Sequence, residues 1–388
     1  MARSRHGRIC FFGTYERDYL RNRTLVEGLR SSGWQVQECH VPLWEKERDK
    51  TGAYLGLCSL AFRAVELKLA YLRLLLKYVF TVGNYDIMVV GYIGHFDMPL
   101  AWLLTRLPRR PLVFSPLISL YDTLVNDRRS FAAGTLMSRL LRRLDRWTCA
   151  RADLVLLDTD AHIGYFVDTF GLPRHRFARV FVGAPESDAL PCAAGEKSPD
   201  DREFQVVFIG KFTPLHGLPS MLEAARRLQD EPDIVFHFIG SGQLSDEMHE
   251  TARRLALDNV RFTEWIPYEM IPRYLQGAGV CLGIFGTTDK AARVIPGKVF
   301  IALSLGKAVI TADTPAIREL LTDGESAAVC GRGDPDALAR AIRGLYEDRE
   351  LLDRIAEGGR RVFRDHASTE QVGRSASIVL EKLMTGSV

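Results

Sequence analysis

Cysteine is sparse and unpaired in this sequence: seven in 388 residues (Cys10, Cys39, Cys58, Cys149, Cys192, Cys281, Cys330), with no C-x-x-C and no paired Cys/His spacing. That excludes a structural zinc site and fits a reducing cytoplasm. An excess of one charge is missing too, since 51 basic and 48 acidic residues leave a net charge of +3, which argues against a dedicated nucleic-acid binder. No apolar run is both long and free of charge. The start, MARSRHGRICFFG, has only a short apolar stretch before Glu16 and Arg17, so it reads as a first strand and not as a signal peptide. Short-period repeats and low-complexity tracts are absent as well.

What is present is ordinary globular material, 47% hydrophobic and 26% charged, in a chain long enough for two domains at roughly 100–200 residues each. RICFFG reads as a strand that turns at Gly13 into the helical stretch DYLRNRTLVEGLRSSG, where Leu20, Leu25 and Leu29 make one apolar face and Gly33 ends the helix. WQVQEC, YDIMVVGY, RPLVFS, ADLVLLDT and ARVFVG read as further strands separated by helical stretches, which predicts a mostly parallel sheet covered on both faces. The first domain is expected over 1–183. Residues 184–203, APESDALPCAAGEKSPDDRE, lose periodicity and read as a linker, and a second α/β domain follows over 204–362. Asp334-Pro335 is a cap followed by proline at the first helical position. Between Gly56 and Val82 lies a long apolar stretch carrying Arg63, Glu66, Lys68, Arg73 and Lys77. Those charges exclude a membrane-spanning helix and leave two readings, a helix packed by one face on the first domain or a basic amphipathic helix resting on a membrane surface.

The most legible chemistry lies between Val206 and Leu321. Three apolar strands there each end in a glycine-bearing turn that feeds a helix: VVFIGKFTPLHGL, VFHFIGSGQL, and VCLGIFG continuing to RVIPGKVFIALSLG. Glycine lets backbone approach phosphate oxygens, helix N-termini supply unpaired N–H donors, and a lysine or arginine adds full charge. Gly210, Lys211 and His216 flank the first turn, Gly240 and Gly242 the second, and Arg293 and Lys298 bracket VIPG in the third.

With these residues in view, the sequence resembles the retaining GT-B glycosyltransferases of family four. The resemblance rests on Gly210-Lys211 through His216-Gly217, on the glycine-ended helix and strand ALSLGKAVIT, and on TPAIRELLTDGESAAVC. It implies two facing Rossmann-like doubly wound domains with a cleft between them, a nucleoside diphosphate sugar donor held by the second domain, an acceptor held by the first, and no obligatory metal or other cofactor. It also implies that residues 363–388 form a helical segment returning to the first domain. The chain departs from the family pattern in two places. His216 stands where the family has lysine, and the two glutamates of the family fall at Arg293 and Ile301.

Each candidate has a plainer alternative. Lys211 and His216 are donor-phosphate contacts or a solvated lysine and a loop histidine; Arg293 and Lys298 hold an anion or are loop charges; Trp265 touches base or ribose or belongs to the core. In the first domain His95 and Asp122 follow strands on the side where ligands collect, as acceptor-side acid/base or sugar contacts or as satisfied loop groups. Asp158-Thr159-Asp160 has the spacing of metal-binding carboxylates, but it follows a strand remote from the donor half, and no metal is expected. The expected activity is transfer of a glycosyl unit to an acceptor hydroxyl of a glycan, a lipid-linked or a small-molecule acceptor, in the cytoplasm or at the inner face of its membrane. The alternatives are a non-catalytic subunit that binds nucleotide or partner protein, and a sugar-nucleotide epimerase.

Overall fold

A computed structural model describes residues 6–43, 57–186 and 203–386; the side chains of residues 57–64 and of Glu269 are not described. Most of the expected linker, residues 187–202, therefore lies outside the described residues, as do Cys192 and the side chain of Cys58. The chain divides into two compact units, residues 1–182 with 369–388, and residues 183–368.

In the first unit, β1 (Arg8–Gly13), β2 (Gln35–His40), β3 (Ile87–Val90), β4 (Leu112–Phe114), β5 (Leu154–Leu157) and β6 (Phe177–Arg179) form a parallel sheet in the order β2-β1-β3-β4-β5-β6. Phe11 pairs with Glu38 on one side and Val89 on the other. Strands covered on both faces need continuous apolar runs, and Ile9–Phe12, Ile87–Val90 and Leu154–Leu157 are all buried. Helices α2 (Leu57–Thr81), α3 (Met98–Arg106), α4 (Leu136–Arg151) and α5 (Asp160–Phe170) pack on one face through Ala70, Leu74, Met98, Ala101, Cys149 and Ile163. α1 (Leu20–Ser31) and α13 (Thr369–Thr385) cover the other through Leu25, Leu29, Val372 and Leu380.

The sixth strand is shorter than ARVFVG suggested. After Arg179 the carbonyls of Val180 and Phe181 turn away to accept from the Arg21 guanidinium, at 2.6 and 2.9 Å. α13 crosses α1 where two glycines meet, for a Cβ on Gly373 would stand 1.9 Å from the Gly28 carbonyl oxygen. The Trp34 indole also donates to Ser377 Oγ at 2.9 Å. α12 runs on to His366, so the segment belonging to the first unit begins at Thr369.

The second unit repeats the plan with β7 (Phe204–Ile209), β8 (Ile234–Ile239), β9 (Val260–Thr263), β10 (Ala278–Leu282), β11 (Ala308–Ala312) and β12 (Ala328–Cys330), ordered β12-β11-β10-β7-β8-β9. α6 (Leu218–Arg227), α7 (Ser245–Arg254) and α11 (Pro335–Glu347) bury Leu222, Met248 and Ile342 in a core with Phe208 and Phe236. α8 (Ile271–Gln276), α9 (Gly297–Ser304), α10 (Pro315–Arg318) and α12 (Arg349–His366) complete it. Asp334 caps α11 as the sequence predicts, its carboxylate accepting from Ala337 N at 2.9 Å, an arrangement typically worth about 1 kcal/mol. Both units are doubly wound Rossmann-like α/β domains.

Candidate functional site

In a doubly wound sheet the crossovers reverse at one point, and the loops leaving the strands on either side of it diverge. The gap outside their C-terminal ends collects ligands. In the second unit that point lies between β7 and β10. All the second-half candidates sit on this sheet edge: Gly210, Lys211 and His216 after β7, Gly240 and Gly242 after β8, Trp265 after β9, and Arg293 and Lys298 between β10 and the first turn of α9.

Phe208, in β7, joins several of them. Lys298 Nζ stands 3.4 Å above the Phe208 ring centroid, and the His216 ring meets Phe208 edge-on at 5.3 Å. The stem of Lys298 is partly exposed, yet Nζ is covered and has no hydrogen-bond partner among the described residues. Burial pushes its pKa well below the ordinary lysine value. A Cβ on Gly210 would come within 2.8 Å of Nζ, so glycine leaves room for the ammonium there. Gly240, at φ +143°, brings the next turn against the same place: a Cβ on it would fall 2.0 Å from the Gly210 carbonyl oxygen. Gly242 N donates to Ser245 Oγ at 2.8 Å.

His216 is buried, with Nδ1 2.6 Å from the Lys211 carbonyl and 3.2 Å from Thr213 Oγ1. Its imidazole braces the turn after β7, and its own carbonyl accepts from Phe285 N at 3.0 Å, tying the β7 and β10 exits across the switch. Lys211 is exposed at the rim, Trp265 is 51% exposed, and Arg293 is half-buried in the turn before α9. Arg332 fixes the β10 exit by donating to the carbonyls of Thr288 at 2.7 Å and Gly286 at 3.3 Å. Ile301 is buried in α9. Sequence reasoning missed Phe208 and Arg332, the first because it reads as core, the second because it arrives from after β12.

The equivalent edge of the first unit, at the switch between β1 and β3, is closed by side chains. Asp97 accepts from Thr14 N at 2.8 Å and Thr14 Oγ1 at 2.9 Å, and burial raises its pKa to about 6. Asn22 Oδ1 accepts from Tyr92 N at 2.8 Å. His95, 1% exposed, lies with Nε2 3.3 Å from Asp145 Oδ1, and its Nδ1 has no partner among the described residues. Asp145 also accepts from Ser119 Oγ at 2.6 Å, Leu120 N at 3.1 Å and Tyr121 N at 2.9 Å. Ser119 Oγ in turn accepts from Asp122 N at 2.9 Å, at the head of the π-helical turn Asp122–Asp127. His95 by its ring and Asp122 by its backbone N–H thus meet one buried network through Asp145 and Ser119, neither of which the sequence singled out, while the Asp122 carboxylate accepts from Asn126 Nδ2 at 2.9 Å. Asp158 pairs with His162 Nδ1 at 2.6 Å, while Asp160 sits on the surface with Arg174 and Arg179. The two carboxylates of the D-x-D sequence therefore engage different partners. The described cysteine side chains are free and buried.

No helix among the described residues is long and apolar enough to cross a membrane. Residues 194–362 match the family model for glycosyl transferases group 1, and residues 20–183 match that for the glycosyl transferase 4-like domain. Over 202 residues the chain is 28% identical to a phosphatidyl-myo-inositol mannosyltransferase of Mycolicibacterium smegmatis, a match covering 51% of this chain and 48% of that protein. The chain spans about half or less of the length of the curated relatives it matches. Among solved structures it is similar in fold to Anabaena HepE in complex with UDP-glucose (TM-score 0.69, 16% identity, 97% of this chain and 100% of that one). It is also similar to the sucrose-phosphate synthase of Thermosynechococcus elongatus (TM-score 0.73, 15% identity, 98% and 100%).

Proposed function

Since the chain belongs to the group 1 glycosyl transferases, we propose that it transfers a glycosyl unit from a nucleoside diphosphate sugar to an acceptor hydroxyl, with retention at the anomeric carbon. The observation that carries this reading is the covered, unpartnered Lys298 ammonium beside Gly210 at the β7/β10 switch. An amine left without an acceptor costs free energy, and a diphosphate oxygen is the partner that would offset it. Lys298, in the first turn of α9, then stabilises charge as it develops on the departing diphosphate, while Gly210, Gly240 and Gly242 let the neighbouring turns lie close to it without side chains. Lys211 and Arg293 add cationic charge at the rim, and Trp265 offers a ring face to base or ribose. His216 acts by holding the turn.

On the acceptor side, His95 held by Asp145 has the arrangement of a base oriented by a carboxylate, with the Asp122 backbone N–H tied to the same network. The acceptor is a hydroxyl of a glycan, a small molecule or a lipid-linked molecule. We read the chain as cytoplasmic and working beside a membrane, which the mannosyltransferase relative supports by name. The absence of carboxylates at Arg293 and Ile301 favours the competing reading, a subunit that binds nucleotide without transfer. A thermal-shift screen of nucleoside diphosphates and their sugars tests the donor reading: a bound ligand raises Tm with concentration, and Lys298→Met abolishes the rise. No shift with any nucleotide overturns both readings; a shift without donor turnover leaves the subunit.

A further inference from the structure

α2 is apolar on two opposite sides. Ala70 and Leu74 face the sheet, while Val65, Leu69, Leu72, Leu76 and Val79, spaced by four and three residues, form one outward stripe. Phe80, 78% exposed, extends it. Lys68 and Arg73 are exposed on its two flanks, and Glu66 is the one carboxylate among the described side chains of this helix.

The stripe does not stand alone. α3 and α4 lie on the same face of the same sheet, and their outward sides carry Leu103, Leu107 (89% exposed), Leu136, Met137 and Leu140. Their exposed charged groups are all arginines, Arg106, Arg139, Arg142, Arg143, Arg146 and Arg151; the one carboxylate in the two helices, Asp145, is buried. Arg106 and Arg151 are held over the Trp102 ring at 5.2 and 4.8 Å. An apolar surface of this extent marks something that covers it. A second copy of the chain is a poor cover, because self-paired faces would set arginine against arginine. A surface that takes leucines and phenylalanine below its plane and presents anions around them satisfies both halves of the chemistry.

We propose that the outward side of the α2–α3–α4 layer docks on an anionic phospholipid bilayer, the apolar stripe entering the headgroup region and the arginines meeting lipid phosphates. This deepens the reading of a membrane-proximal acceptor and rests on it, while vesicle binding and donor binding are separate readouts that can fail independently. The test is co-sedimentation of the full chain, without nucleotide, with phosphatidylcholine vesicles made with and without phosphatidylglycerol. The chain is expected to pellet with the anionic vesicles, to lose at least about tenfold in partitioning on Leu69→Asp with Leu72→Asp, and to lose less on Arg139→Gln with Arg143→Gln. High salt should weaken binding. All four positions are exposed, so circular dichroism and the nucleotide thermal shift should be unchanged in both variants. Failure to bind either vesicle, or equal binding to both, overturns the proposal. So does a dimer in sedimentation velocity that the leucine substitutions dissociate, because the stripe would then be a protein interface.

Discussion

The two sheets end in chemically opposite ways at their switch points. At β1/β3 side chains bond one another across the exits, Asp97 with Thr14, Asn22 with Tyr92, and Asp145 with Ser119 and His95, leaving His95 Nδ1 over. At β7/β10 the exits are drawn together at glycines, and the covered ammonium of Lys298, set over the Phe208 ring, lacks a hydrogen-bond partner among the described residues. A polar network fixes geometry, whereas a covered ammonium without a hydrogen-bond acceptor is poised for an anion from solution. The first arrangement suits orienting a hydroxyl; the second suits holding a diphosphate.

The contrast can be broken most forcefully at Asp145. Asp145→Ala strips acceptors from Ser119, two backbone N–H groups and His95 inside the first unit, and should cost about 3–5 kcal/mol in urea unfolding. Asp145→Asn keeps the volume; it should slow transfer while donor Kd stays put, and equal effects on both would deny His95 an acceptor-side role. Next in size is Gly240→Val. With φ at +143° and the Gly210 carbonyl in the way, the side chain should cost about 3 kcal/mol and also abolish nucleotide binding. A cost under about 1 kcal/mol would mean the two turns are not packed as described.

Asp97 sharpens the comparison through pH. Its native pKa of about 6 lies above the ordinary 3.8, so the folded chain keeps a proton that the unfolded chain has released in that interval. Its contribution is therefore full below the lower value and lost as pH rises through the upper one. Asp97→Asn removes this slope. The wild type should lose on the order of 2 kcal/mol relative to the variant between about pH 4 and pH 7. A pH-independent difference would place the carboxyl in a more solvated setting.

Lys298 has the smallest expected effect on stability and the opposite slope. Its depressed pKa means that the unfolded amine binds a proton more readily, so stability rises with pH towards the ordinary lysine value. Lys298→Met should be more stable than the wild type by about 1 kcal/mol at neutral pH, with the gap closing in base, and should bind nucleotide at least about tenfold more weakly. Greater stability with unchanged binding would leave the amine without a ligand role.

Much of this second edge was legible in one dimension because its ingredients are local. A strand, a glycine and a helix start follow each other within a few residues, so Gly210, Gly240, Gly242 and Lys298 announce themselves by spacing. The first edge was legible only in part. His95 and Asp122 were visible as polar residues after strands, but Asp145 lies well along α4 and reads as one more charged helical residue among arginines. Only the fold brings it beneath His95. Arg21 hides in the same way, buried at the carbonyls that cut β6 short.

Periodicity and turn residues determined two α/β domains, mostly parallel sheets covered on both faces, and which turns can approach an anion. These depend on neighbours in sequence, where sterics and burial act residue by residue. The tertiary structure decided which groups are left unsatisfied, that the Lys298 ammonium stands over Phe208 without a hydrogen-bond partner among the described residues, and that α2, α3 and α4 expose leucine and arginine from one layer. Those facts depend on groups far apart in the chain, and on burial that folding creates between them.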